Sequence, residues 1–207
     1  MQSKLLVGCI TALLMFFALP APAQSVYSAH EDRPRFSVGG GFSVFSPDWG
    51  PNRHVMGTTL FADYRPPLLP DFLSGLSLEL EARDLSWNRG TYPANNPHVG
   101  GRPGLPRYDT LGGGLLYHAE RLKFHRLVPY AKGIVSYGSL DFTLPRYPHY
   151  SHDTRTVTAL GGGVDYRLSR RLTLRGDYQY QWWPQMFGPN ALNPNGFTVG
   201  ALYNFGH

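Results

Sequence analysis

Cysteine is almost absent: Cys9 is the only one in 207 residues, and it lies in a leading segment that carries the marks of removal. The rest of the chain therefore has no thiol for a disulfide, a thiolate nucleophile or a zinc–sulfur site. Charge is scarce too, with Asp, Glu, Lys and Arg together at 16%. No Lys/Arg block is present, which argues against a nucleic-acid partner. No G-x-G-x-x-G or Walker spacing stands before a helical pattern, so no dinucleotide or P-loop phosphate site is indicated. No fixed period of a propeller or solenoid runs through the chain. No cofactor is expected.

Long apolar runs are missing as well. Leu5 to Leu19 is the longest and is too short for a comfortable membrane-spanning helix. Behind Lys4 and ahead of Ala21-Pro22-Ala23 it has the layout of a secretory signal peptide, so residues 1–23 are expected to be cleaved before Gln24. Leu6-Val7-Gly8-Cys9 has the look of a lipoprotein cleavage box, but few residues precede it and the apolar run continues past it, so Cys9 is read as an h-region residue. Losing Lys4 takes the formal net charge from +5 to +4. For an exported chain, anionic lipid head groups are the natural counter-charge.

The chain is rich in aromatics (14%, with 13 tyrosines), glycine (24) and proline (18), the composition of many short strands with punctuated turns. After a polar lead-in over 24–34, the segment 35–207 reads as one domain of eight strands. The plainest alternation is GLSLELEARDLSW, with Leu76, Leu78, Leu80 and Ala82 on one face and Ser77, Glu79, Glu81 and Arg83 on the other. RLTLRGDYQYQWW sets Leu172, Leu174, Tyr178, Tyr180 and Trp182 against Thr173, Arg175, Asp177, Gln179 and Gln181. Longer connections near 46–54, 88–107, 141–154 and 183–195 alternate with more compact links.

The direction of the apolar face depends on the solvent outside. In a soluble sandwich or lipocalin-like barrel it faces a core; in a membrane barrel it faces lipid. Three features favour lipid. Strands run to about ten residues, the span of a tilted transmembrane strand. Large aromatics gather toward strand ends, as interfacial girdles require: Tyr64, Trp87, Tyr108, Tyr117, Tyr137, Tyr166, Trp182, Trp183, Tyr203 and Phe205. Glycine triplets at 39–41, 112–114 and 161–163 sit inside strands, where they either mark bulges in a soluble barrel or leave room in a narrow lumen for long charged side chains. The polar row then supplies lumen ion-pair candidates, the acids Glu79, Glu81, Asp165 and Asp177 and the bases Arg83, Lys132, Arg167 and Arg175, whose balance suits a closed interior. A proton pathway or gate is the sharper reading of the same residues.

The ordered strands, the hairpin GGGVDYRLSRRLTLRGDYQY and the closing GFTVGALYNF resemble the superfamily of small bacterial outer-membrane β-barrels, OmpA-like and opacity-type. The resemblance covers about 35–206. It implies an all-β, eight-stranded antiparallel up-and-down transmembrane β-barrel in the outer membrane of a Gram-negative-type bacterium. It also implies contact with outer-membrane lipids and lipopolysaccharide, and assembly by the barrel-assembly machinery through a final-strand aromatic. Tyr203 and Phe205 fit that signal, although Gly206 and His207 follow. The expected role is structural, adhesive or loop-mediated, with a side-chain-filled lumen, no general pore and an unnamed extracellular partner.

Two alternatives remain open: a soluble periplasmic lipid-binding barrel, and a rim enzyme acting on lipid A or phospholipid acyl chains. For the enzyme, His149-Tyr150-Ser151 has a His-x-Ser spacing with Asp153 nearby. It falls in a Pro-rich loop where little holds it in place, so no catalytic residue is assigned. His149, His152 and Asp153 on the same loop are read as solvated, and no metal site is assigned.

Overall fold

The computed structural model describes residues 34–48, 54–67, 69–70, 73–87, 107–141, 152–186 and 191–205. The expected leader (1–23), most of the lead-in and His149 to Ser151 lie outside these residues. The described chain forms β1 (Phe36–Ser46), β2 (Val55–Tyr64), β3 (Leu76–Leu85), β4 (Arg107–His118), β5 (Leu127–Asp141), β6 (His152–Arg167), β7 (Leu172–Trp182) and β8 (Asn195–Phe205), with one short 3-10 turn over Glu120–Leu122.

Each strand pairs antiparallel with the next, and β1 pairs with β8 from Phe36↔Phe205 to Ser46↔Asn195, closing the barrel. Closure leaves no edge strand, so over the span where neighbouring strands are paired on both sides the backbone groups find partners within the sheet, as hydrocarbon demands.

The two rows of each strand separate as the sequence alternation predicts. Outward positions are apolar and exposed, with Leu160 at 73% and Leu80 at 64%. Inward positions on the same strands are polar and buried, among them Glu79, Lys132, Arg175 and Gln179. For a globular protein in water this is inside out; against lipid it is the stable arrangement, because each outward side chain stays in an apolar medium.

One expected boundary is corrected. His152, Asp153 and Thr154 were expected in a loop over 141–154; instead they open β6, which runs to 16 residues, because β5 continues as its partner through Asp141↔His152, Leu140↔Asp153 and Ser139↔Thr154. A ladder already closed on one side extends cheaply until prolines interrupt it, and Pro145 and Pro148 lie in the connection between the two strands.

The glycine triplets occupy β1, β4 and β6, two residues of each triplet facing the bore. Their register explains them. Glu79 lies opposite Gly114 and Glu81 opposite Gly112. Lys132 lies opposite Gly161. Asp177 and Gln179 face Gly163 and Gly161, and Arg175 faces Gly200. Long polar side chains are thus flanked by positions without one, which an eight-stranded bore requires. At Gly163 the approach is close from both sides: an added Cβ would stand 2.0 Å from the Gly176 carbonyl oxygen and 2.8 Å from the Tyr130 hydroxyl. Gly163→Ala is therefore expected to lower stability by about 1–3 kcal/mol through overpacking, read as a lower urea midpoint for the detergent-refolded barrel. An unchanged midpoint would show that the bore has slack there.

Candidate functional site

The bore is filled in layers. Toward the end bearing the short links, Ser37 donates to Asn204 at 2.9 Å, and Asn204 donates to Thr173 at 3.1 Å. Next comes the guanidinium of Arg175, placed on β7 between Thr173 and Asp177 by simple alternation. Its Nε and Nη2 form a fork on Asp165, each at 2.9 Å. Nη1 reaches Glu79 at 2.9 Å, and Nη2 also reaches Asp63 at 2.8 Å. The rings of Tyr130 and Phe61 lie 4.9 and 5.4 Å from its central carbon. His118 Nε2 stands 2.9 Å from Asp165 on the far side.

One layer further along, Lys132 Nζ meets Glu79 at 2.9 Å, Glu81 at 2.8 Å and Asp177 at 2.9 Å. The Tyr130 hydroxyl donates to the other Asp177 oxygen at 2.8 Å. Arg83 then pairs with Glu81 at 3.0 Å, donates to Thr59 at 2.8 Å and to Gln179, and stacks 4.3 Å over Phe45. From Gln179 the chain of hydrogen bonds continues: Gln181 donates to it at 3.1 Å, and the Trp183 indole N–H donates to Gln181 at 2.9 Å. Above this column an apolar cluster closes the bore at the end bearing the long connections. Its members are Phe45, Val55, Leu85, Tyr108, Leu140, Val157, Trp183, Met186 and Leu192.

Seven of the eight expected lumen residues come together in this network. Arg167 does not. It lies at the end of β6 on the rim, paired with Glu120 of the β4–β5 link at 2.7 Å, because the strand ends there and the side chain reaches the nearest carboxylate outside the bore. Asp63, Tyr130 and His118, not singled out in the sequence, take part. Asp63 is the next-to-last residue of β2, and its alternation against Tyr64 turns it inward. The expected balance of four acids and four bases is corrected accordingly: among the described residues the network holds five carboxylates, Asp63, Glu79, Glu81, Asp165 and Asp177, and three cations, Arg83, Lys132 and Arg175.

Two of the expected interfacial aromatics are also corrected. Tyr108 and Trp183 are 2% and 0% exposed and meet edge-on inside the barrel at 5.8 Å. Consecutive strand residues point to opposite faces, so Trp182 and Trp183 cannot both face outward. Tyr108 shares the inward row of Thr110, opposite Leu111. Of the others, Tyr64, Trp87, Tyr117, Tyr137, Trp182, Tyr203 and Phe205 are exposed on the outer surface, and Tyr166 lies half-buried on the outward row of β6.

The loop residues weighed for catalysis or metal binding are engaged elsewhere where they are described. His152 Nδ1 lies close against the Asp141 carboxylate, and Asp153 pairs with Arg155 at 2.8 Å. Among the described residues no group of three or more His, Cys, Asp or Glu side chains is placed to hold a metal ion.

A closed eight-stranded sheet with hydrocarbon-like residues outside and an ionic column inside defines a membrane-spanning β-barrel. The chain belongs to the outer-membrane protein β-barrel domain family, whose model matches residues 9–205. It is an outer-membrane barrel. Among solved structures it is similar to the neisserial surface protein NspA, at 13% identity and a TM-score of 0.59, covering 82% of this chain and 97% of that one. OprG of Pseudomonas aeruginosa is 16% identical with a TM-score of 0.55, covering 83% and 96%. The Yersinia pestis attachment invasion locus protein Ail, in complex with the heparin analogue sucrose octasulfate, is 15% identical with a TM-score of 0.51, covering 82% and 96%. At these identities the likeness is one of fold. No curated protein matches the sequence at a significant level.

Proposed function

We propose that this barrel works as a closed scaffold that presents its long connections at the cell surface, in a structural or adhesive role, and conducts no general solute flow. The observation that carries this reading is the filled bore: Arg175, Lys132 and Arg83 bind carboxylates from β2, β3, β6 and β7 across the lumen, and the cluster around Trp183 seals one end. A bore occupied in this way leaves the connections as the part able to meet a partner. In barrels of this kind the longer loops are extracellular and the short turns periplasmic, so the connections that follow β1, β3, β5 and β7 are the ones expected outside, near lipopolysaccharide.

The likeness to the neisserial surface protein NspA and to the attachment invasion locus protein Ail supports the adhesive branch. The outward aromatics near both strand ends suit the two membrane interfaces. Tyr203 and Phe205 on β8 suit recognition by the barrel-assembly machinery.

In planar bilayers the purified protein is expected to give no steady open-pore current, and proteoliposomes loaded with sugar are expected not to swell. A host strain expressing it is expected to gain adherence that is lost when residues 89–105 are replaced by a short Gly-Ser turn while the barrel still folds. A constant ohmic current, or adherence indifferent to every loop replacement, would refute the reading.

A further inference from the structure

The short-link end carries a surface that neither the filled bore nor the loops account for. The β4–β5 link is a hydrogen-bonded turn. Its 3-10 turn over Glu120–Leu122 is followed by a two-residue reversal in which Phe124 and Leu127 exchange backbone hydrogen bonds at 3.0 and 2.9 Å. His125 takes a left-handed backbone there (φ 56°), its ring 4.4 Å from that of Phe124. The neighbouring β6–β7 link is tied to it, since the Arg167 N–H donates to the Arg126 carbonyl at 3.0 Å and Arg126 Nη1 donates to the Leu168 carbonyl at 3.2 Å.

Across these two joined links stand Arg121, Lys123, Arg126, Arg170 and Arg171, all exposed, against one carboxylate, Glu120, which is held by Arg167. The side chains of Arg121, Lys123 and Arg171 take no partner among the described residues. Between the cations, Leu122 and Phe124 are exposed at 71% and 68%, just ahead of the start of β5 at Leu127. The opposite end differs in sign: its outward residues include Asp84, Asp109 and Asp141 around Arg107.

We propose that this patch is a binding surface for anionic phospholipid in the leaflet facing the short links. The phosphate of a lipid such as phosphatidylglycerol meets Arg121, Lys123 and Arg171, while Leu122 and Phe124 enter the acyl boundary. Cations interleaved with exposed large apolar side chains fit a ligand having both a phosphate and a chain, and juxtamembrane cations are drawn to acidic lipid. A soluble acidic polymer of the cell wall would use the charges and leave Leu122 and Phe124 in water.

The inference rests on the membrane-barrel reading and tests apart from the orientation proposed above. In nanodiscs of phosphatidylcholine with a minor share of phosphatidylglycerol, both faces are identical, so the patch is examined whichever end is outside. Native mass spectrometry of the released wild-type barrel is expected to show phosphatidylglycerol enriched over its share. Arg121→Gln, Lys123→Gln and Arg171→Gln are expected to lower that enrichment, by about fivefold per cation removed. Leu122→Ser with Phe124→Ser is expected to weaken it with all cations present, and Arg107→Gln at the other end to leave it unchanged. Heat-modifiable gel migration establishes that each variant is folded.

Equal retention of the two lipids by the wild type, or full enrichment in the folded triple variant, overturns the proposal. So does binding of the wild type to purified cell-wall polymer without lipid enrichment. Labelling of Ser169→Cys in intact cells by a membrane-impermeant reagent would instead overturn the orientation and leave the lipid result standing.

Discussion

Arg175→Ala is expected to be the most damaging single substitution in the bore, lowering unfolding stability by about 3–5 kcal/mol. The arginine is fully buried and binds three carboxylates on three different strands: Asp63 on β2, Glu79 on β3 and Asp165 on β6. Removing it leaves those groups charged, desolvated and facing one another, which costs far more than the net worth of the intact pairs. The measurement is a urea titration of the detergent-refolded barrel, followed by tryptophan fluorescence and by heat-modifiable migration.

A companion separates charge from packing. Arg175→Met keeps most of the volume and is expected to be nearly as damaging. Arg175→Met combined with Asp165→Asn and Asp63→Asn is expected to recover much of the loss, because the uncompensated charges go with the cation. If Arg175→Ala unfolds at the wild-type midpoint, water already bathes the network and the bore is not closed. In the same bilayer assay used for the wild type, a conductance appearing in Arg175→Ala would mark this residue as the plug's keystone.

Leu80→Arg is expected to cost about 2–4 kcal/mol, the penalty for a cation on the lipid face near the bilayer midplane. Leu80 sits at the middle of β3, 64% exposed, with Glu79 and Glu81 on either side turned inward. The same change near the interface, Tyr117→Arg, is expected to cost about 0–1 kcal/mol, since a long side chain there snorkels to the head groups. In a soluble barrel with this surface facing water, both would be harmless and Leu80→Arg would improve solubility. Depth-dependent cost is therefore the readout: equal, negligible effects at both positions would remove hydrocarbon from the outside of the sheet. Spin labels at Leu78 and Leu174 report the same orientation independently and are expected to sense a dry, oxygen-rich medium.

Much of the barrel was legible because strand alternation and turn chemistry are local. In β3 and β7 every second residue belongs to one solvent, so the inward placement of Glu79, Glu81, Arg83, Arg175 and Asp177 follows from period two once the outside is taken as lipid. The two aromatic misplacements follow from ignoring that period at the ends: Trp183 must face opposite to Trp182, and Tyr108 opposite to Leu111. The extension of β6 back to His152 was not legible, because it depends on how far β5 continues as a partner. The place of Arg167 was equally closed to local reading, since a residue at the last position of a strand is inside or outside according to the nearest carboxylate, here Glu120 of another link.

The amino-acid sequence by itself determined the strand count, the rows and the solvent each row prefers, because side-chain direction in a strand repeats every two residues and needs no distant information. Only the tertiary structure decided which charges meet. Arg175 reaches Asp63 across more than a hundred residues of chain, Lys132 gathers Glu79, Glu81 and Asp177 from two other strands, and glycines on facing strands make the space. Those contacts depend on the register and closure of all eight strands at once, and no single strand encodes them.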